Sequence, residues 1–70
     1  MKLRQAELGR EYVIRHIDTG DRELNEFLLT LGCYAGGTIT VIAHRRSGST
    51  VSIKDARYSI DIPLAEAILV

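Results

Sequence analysis

The sequence predicts a mostly β domain, a small barrel with one α-helix set between the first strand and a three-stranded meander. Three observations predict it. One segment alone, around residues 21–31, carries a clear helical period of apolar residues. Short runs rich in Val, Ile, Thr and Tyr fill most of the remainder, and such residues suit a pleated, half-buried surface. The runs after the helix are separated by turns of only a few residues, which is the spacing of antiparallel hairpins.

The helix is placed at 21–31. Leu24, Phe27, Leu28 and Leu31 stand at i, i+3, i+4 and i+7 and share one face, predicted to meet the core. Asp21 is suited to cap the start, and Glu23 suits the positive end of the helix dipole. Gly32 follows the last apolar position and supplies the left-handed residue that commonly ends a helix.

The strands follow the same logic. Tyr12–Ile17 is β-branched and aromatic with imperfect alternation. In Thr38–His44 the reading puts Ile39, Val41 and Ala43 on one side and Thr38, Thr40 and His44 on the other; Ile42 breaks the pattern and points to cover on both faces. Thr50–Lys54 places Val51 and Ile53 together. Arg57–Ile62 sets Tyr58, Ile60 and Ile62 against Arg57, Ser59 and Asp61. Arg46-Ser47-Gly48-Ser49 and Asp55-Ala56 read as the connecting turns. Pro63 opens a single helical turn, since proline is tolerated at a first helical position. Ile68-Leu69-Val70 is a closing strand, and pairing it with the first would remove exposed sheet edges. These elements make an SH3-like barrel the economical arrangement for a single domain spanning residues 1–70.

Size and composition narrow the function. A chain of 70 residues has no room for two lobes around a cleft and buries only about 60% of the surface its unfolded form exposes. At 46% hydrophobic and 26% charged it is a folding sequence, not a disordered tail. Nine basic residues balance nine acidic ones. A dedicated nucleic-acid binder usually carries a basic excess, so none is expected as partner. Net neutrality weakens colloidal repulsion and leaves room for weak self-association. A single cysteine, Cys33, points to a reducing compartment, hence the cytoplasm. The charged N-terminus has no signal-like apolar core, and no apolar run approaches a membrane span.

Three stretches taken in order resemble the ferrous iron transport protein A family. The first is Phe27-Leu28-Leu29-Thr30-Leu31-Gly32-Cys33-Tyr34-Ala35-Gly36-Gly37-Thr38-Ile39-Thr40-Val41: a leucine-rich helix, Leu-Gly, two apolar residues, a glycine turn and an alternating strand. The second, Ile53-Lys54-Asp55-Ala56-Arg57-Tyr58-Ser59-Ile60-Asp61, is similar to the last hairpin of the clostridial branch. The third is the ending Leu64-Ala65-Glu66-Ala67-Ile68-Leu69-Val70. The chain departs from the family pattern at Phe27, where many members are basic, at Ala35, where many have proline, and at Asp55, where many have glycine. The resemblance implies an SH3-like fold and a cytoplasmic regulatory protein acting on the ferrous iron permease and its cytosolic GTP-binding domain, recruited to the inner face of the membrane by that permease. It also implies kinship with the C-terminal domain of metal-dependent repressors. Two other readings stand beside it: a regulatory module for a metal-responsive transcription factor, and a small oligonucleotide-binding barrel. Three Tyr, one Phe and no Trp make a poor stacking row for the last.

No catalytic, cofactor or metal site is expected. His16, His44, Cys33, Asp18, Asp55 and Asp61 are ligand types without ligand spacing. Cys33 is expected to pack as a small hydrophobe near Leu28, just past the helix stop. Gly36-Gly37 lacks the Lys-Ser/Thr and helix of a phosphate loop. The candidate partner-binding residues are Leu29, Tyr34, Arg45 and Arg46. Leu29 lies off the predicted core face and Tyr34 sits at the helix exit. Either they share an exposed apolar patch that marks a protein partner, or the barrel mouth covers both. Arg45 and Arg46 enter a hairpin turn, as a solvated tip or as an arginine pair meeting an acidic surface.

Overall fold

The computed structural model describes residues 1–70. A single 3-10 turn, Leu3–Gln5, is followed by β1 (Glu11–Val13), β2 (His16–Ile17), α1 (Arg22–Leu31), β3 (Thr38–Arg45), β4 (Gly48–Ile53), β5 (Ala56–Asp61), α2 (Ile62–Ala67) and β6 (Ile68–Leu69). One sheet has the order β1-β3-β4-β5 and a second pairs β2 with β6; all these pairs are antiparallel. The mostly β class and the helix between first strand and meander are as the sequence predicts. The barrel is not closed by one continuous sheet.

The expected strand Tyr12–Ile17 is two strands around a corner. Ile14 N–H still donates to Gly37 O at 2.8 Å, on the side of the large sheet. Arg15 N–H already donates to Leu69 O at 2.7 Å, in the small one. Burial records the switch: Tyr12 and Ile14 turn inward, Arg15 and His16 both face out, and Ile17 turns in again. That phase break is the imperfect alternation visible in the sequence. The closing strand pairs with the second half of the corner, Ile17 opposite Ile68. The chain ends meet beside it, with Val70 N–H donating to Met1 O at 2.8 Å.

α1 forms as its end signals dictate. Asp21 Oδ1 accepts from Leu24 N–H at 3.1 Å. Gly32 has φ +89°, and Cys33 N–H donates to Leu28 O while Gly32 N–H donates to Leu29 O, the paired bonds of a Schellman stop. The core face is narrower than expected. Leu28 is only 3% exposed, but Phe27 is 58% exposed. At 3.6 residues per turn Leu24, Leu28 and Leu31 span an arc of about 60°, and Phe27 lies about 40° beyond its edge. The core takes the arc and leaves its rim in solvent.

The two hairpins are tighter than the sequence suggested. Arg45 pairs with Gly48, so the first turn is Arg46-Ser47 and Ser49 belongs to β4. Ile53 pairs with Ala56, so the second is Lys54-Asp55 rather than Asp55-Ala56. Lys54 and Asp55 take φ +48° and +67°, the left-handed pair of a type I′ turn. Aspartate tolerates this; lysine has no local chemistry that favours it. Gly48 is needed for close approach, because a Cβ there would stand 1.9 Å from Ile60 O.

A bulge in β3 between Val41 and Ala43 sets the outer residue pattern. A one-residue slip sends every later side chain to the other face. Ala43 therefore pairs with Thr50 on the outer side, while His44 turns inward opposite Ser49, the reverse of the expected alternation. Ile42 sits in the bulge and is exposed, not covered on both faces. At the other end of the meander, Ile62 is not the last residue of a strand but the first of α2, one position before Pro63. Asp61 Oδ1 caps that helix, accepting from Leu64 N–H at 3.0 Å. The core lies between the large sheet, α1 and the chain ends: Leu3, Ile14, Leu28, Cys33, Ile39, Val41, Val51, Ile53 and Ile68.

Candidate partner-docking surface

A cleft of about 240 Å³ opens where α1 ends. α1 contributes Asn25 and Leu29, one turn apart on the same flank. The turn after the helix contributes Cys33, Tyr34 and Ala35, and β2 contributes His16 and Ile17. Leu29 is 57% exposed and Tyr34 half-buried. The Schellman stop is what brings them together, because it folds residues 33–35 back across the last helical turn.

Tyr34 is braced from outside the cleft. Lys54 Nζ lies 5.4 Å from its ring centroid. The lysine stem crosses Gly32, where an added Cβ would meet Lys54 Cδ and Cε at 3.0 Å. The left-handed turn thus places one cation beside Tyr34, with no carboxylate partner in this chain. Cys33 is only 2% exposed. Desolvation pushes its thiol from 9.0 up to about 11, which makes it a poor nucleophile at neutral pH.

Arg45 and Arg46 do not line this cleft. Both are exposed at the tip of the β3–β4 hairpin, and neither forms an ion pair. The Arg45 carbonyl accepts from the guanidinium of Arg4, which also reaches Gly48 O, and Ser49 Oγ at 3.1 Å. Ser49 Oγ lies 2.9 Å from His44 Nδ1, and His44 Nε2 lies 2.9 Å from Ala6 O. A carbonyl only accepts, so Nε2 carries the hydrogen and Nδ1 accepts from the Ser49 hydroxyl. Nε2 thereby holds the N-terminal segment on the sheet, while Nδ1 ties the ring to Ser49 of β4.

The potential metal ligands stay dispersed: no three His, Cys, Asp or Glu side chains converge. Asp61 is a helix cap and Asp55 a turn residue. Sequence reasoning singles out neither Asn25 nor Ile17, and does not place His16 in a docking surface. Asn25 is legible in hindsight, four positions before Leu29 on a helix. Ile17 and His16 carry no local signal, since the corner at Ile14 puts them there. No helix is long and apolar enough to cross a membrane.

Comparison with known proteins adds three findings. The chain is similar in fold to a crystal structure of the iron uptake regulatory protein FeoA, with TM-score 0.83 at 23% identity, over 97% of this chain and 91% of that one. It is similar to the solution structure of FeoA from Chlorobium tepidum, with TM-score 0.85 at 18% identity, over 99% of this chain and 67% of that one. It also matches part of a manganese-dependent transcriptional repressor, with TM-score 0.83 at 23% identity, over 97% of this chain but 39% of that one. No curated protein sequence matches significantly. At these identities the neighbours establish the fold. The sequence profile of the FeoA domain matches residues 1–70 from end to end, and the chain belongs to the FeoA domain family.

Proposed function

We propose that this protein is a non-enzymatic accessory of ferrous iron uptake. It acts in the cytoplasm by docking its α1 cleft on the cytosolic, GTP-binding part of a ferrous iron permease. FeoA domains are accessory domains of ferrous iron transport, which supplies the process. The observation that carries the docking reading is the cleft itself: exposed Leu29 and half-buried Tyr34 line one apolar groove with a polar rim of Asn25 and His16 and a free cation at Lys54. A central apolar anchor within a polar rim is how partner surfaces concentrate affinity. The complementary surface is an apolar side chain beside a carboxylate, the first filling the groove and the second meeting Lys54.

The test is titration calorimetry of the purified chain against the permease's cytosolic GTP-binding domain, with and without nucleotide. The expected result is nucleotide-dependent binding that Leu29→Glu abolishes without lowering the melting temperature. Binding that survives Leu29→Glu would move the docking face elsewhere, with Arg45 and Arg46 the next surface to reverse in charge. The fold shared with a manganese-dependent repressor favours one second reading, a regulatory module for a metal-responsive transcription factor. Binding to such a factor and not to the permease would select it.

A further inference from the structure

We propose that β5 is a pairing edge for a second copy of this chain, related by a two-fold axis through Ser59. The hairpin geometry sets which main-chain groups are free. A two-residue turn makes Ile53 and Ala56 the closing hydrogen-bonded pair of β4 and β5. Alternation then directs the N–H and C=O groups of Ala56, Tyr58 and Ile60 toward β4, and those of Arg57, Ser59 and Asp61 away from it. No strand lies on that side. None of the turn, loop and cap hydrogen bonds uses the main chain of Arg57 or Ser59.

Sheet edges are usually blunted by shortness, a bulge, charged side chains or a proline. The β1 edge is blunted, being three residues long. β5 runs six residues, Ala56 to Asp61, in unbroken register without proline, and its two edge charges, Arg57 and Asp61, are of opposite sign.

Charge selects the occupant and the register. Outward-directed residues must oppose one another across a new antiparallel pair. Arg57 opposite Arg57 sets like charges together. Arg57 opposite Ser59 sets Asp55 against Asp61. Ser59 opposite Asp61 brings Pro63, which has no N–H, opposite Arg57. With Ser59 on the axis, Arg57 of each copy faces Asp61 of the other, and Tyr58 faces Ile60. Each pair occurs twice by symmetry. The Ser59 N–H of each copy donates to the Ser59 carbonyl of the other, and Asp61 N–H donates to the Arg57 carbonyl. Arg57 has no ion pair within its own chain. Asp61 uses Oδ1 for its cap and keeps Oδ2 for the guanidinium. Tyr58 and Ile60 are only half-buried in the monomer, so an aromatic to β-branched cross-strand contact covers them further. A formal net charge of zero leaves no bulk repulsion to overcome.

The experiment is sedimentation equilibrium of the full chain across a concentration series, together with oxidative cross-linking of single-cysteine variants. Opposed residues on the axis stand about 5.5 Å apart at Cα, within disulfide reach. Ser59→Cys is expected to give a covalent dimer and Arg57→Cys none, with Cys33 too buried to interfere. Arg57→Glu sets two carboxylates together and is expected to weaken the dimer by at least about tenfold, with an unchanged melting curve. Ser59→Pro removes the axial N–H and does the same. A monomer at every concentration up to the millimolar range would overturn the proposal. So would a dimer that Arg57→Glu leaves intact, or equal cross-linking at positions 57 and 59.

Discussion

The corner around Ser49 and the cleft around Leu29 are built in opposite ways. At Ser49 every polar atom has a partner: Arg4 donates to it, it donates to His44, and His44 passes on to Ala6 O. At the cleft the apolar groups are the unfinished ones, with Leu29 facing solvent and Lys54 lacking a counter-ion. A closed polar network in a low-dielectric setting is costly to break, so it holds one geometry. An open apolar groove costs the monomer little to alter and is free to gain from a partner. In a domain this small, the closed polar network and the open apolar groove therefore occupy different corners.

The largest expected effect comes from the floor of the cleft. Burial raises the folded-state pKa of Cys33 from 9.0 to about 11. Below pH 9 the thiol is protonated in both states and contributes no pH dependence. Between pH 9 and 11 the unfolded chain binds fewer protons, so stability falls as pH rises, by about 1.4 kcal/mol per unit. Denaturant melts across that window should show the loss, and Cys33→Ala should flatten the slope. Second is Ser49→Val at the closed corner. It leaves His44 Nδ1 without a donor and removes an acceptor from Arg4, with an expected loss of about 2 kcal/mol by chemical denaturation. An unchanged midpoint would mean the network contributes nothing net.

Smaller effects come from Lys54, beside Tyr34, and from Leu29. Lys54→Asn relieves a left-handed lysine, about 1 kcal/mol, and gives up the cation over Tyr34, about 0.5 kcal/mol. The net expectation is a stability gain of about 0.5 kcal/mol, read from the thermal midpoint, with weaker partner binding. Smallest for the fold is Leu29→Glu, within about 0.5 kcal/mol in a denaturant titration because the side chain is already exposed. A large destabilisation there would make Leu29 part of the core and erase the contrast between the two corners.

How far the sequence could be read follows the range of each interaction. α1 was legible to within one residue, 21–31 against Arg22–Leu31, because Asp21 and Gly32 act within a turn of themselves. Leu29 and Tyr34 were legible as a pair, since the helix stop that joins them is local. Phe27 was misplaced on the core face, because how wide an arc of a helix its neighbours cover is not written in the helix. The outward reading of His44 failed at the bulge, where one extra residue reverses all that follows.

The sequence by itself therefore determined the class, the meander, the two caps of α1 and the family. Each rests on periodicity, a turn residue or a motif within a short window. Tertiary structure alone decided the corner at Ile14, the inward turn of His44, the grip of Arg4 on a hairpin 44 residues away, and which edge of the sheet stays unpaired. Those depend on segments distant in sequence competing for the same surface, and a local pattern carries no record of that competition.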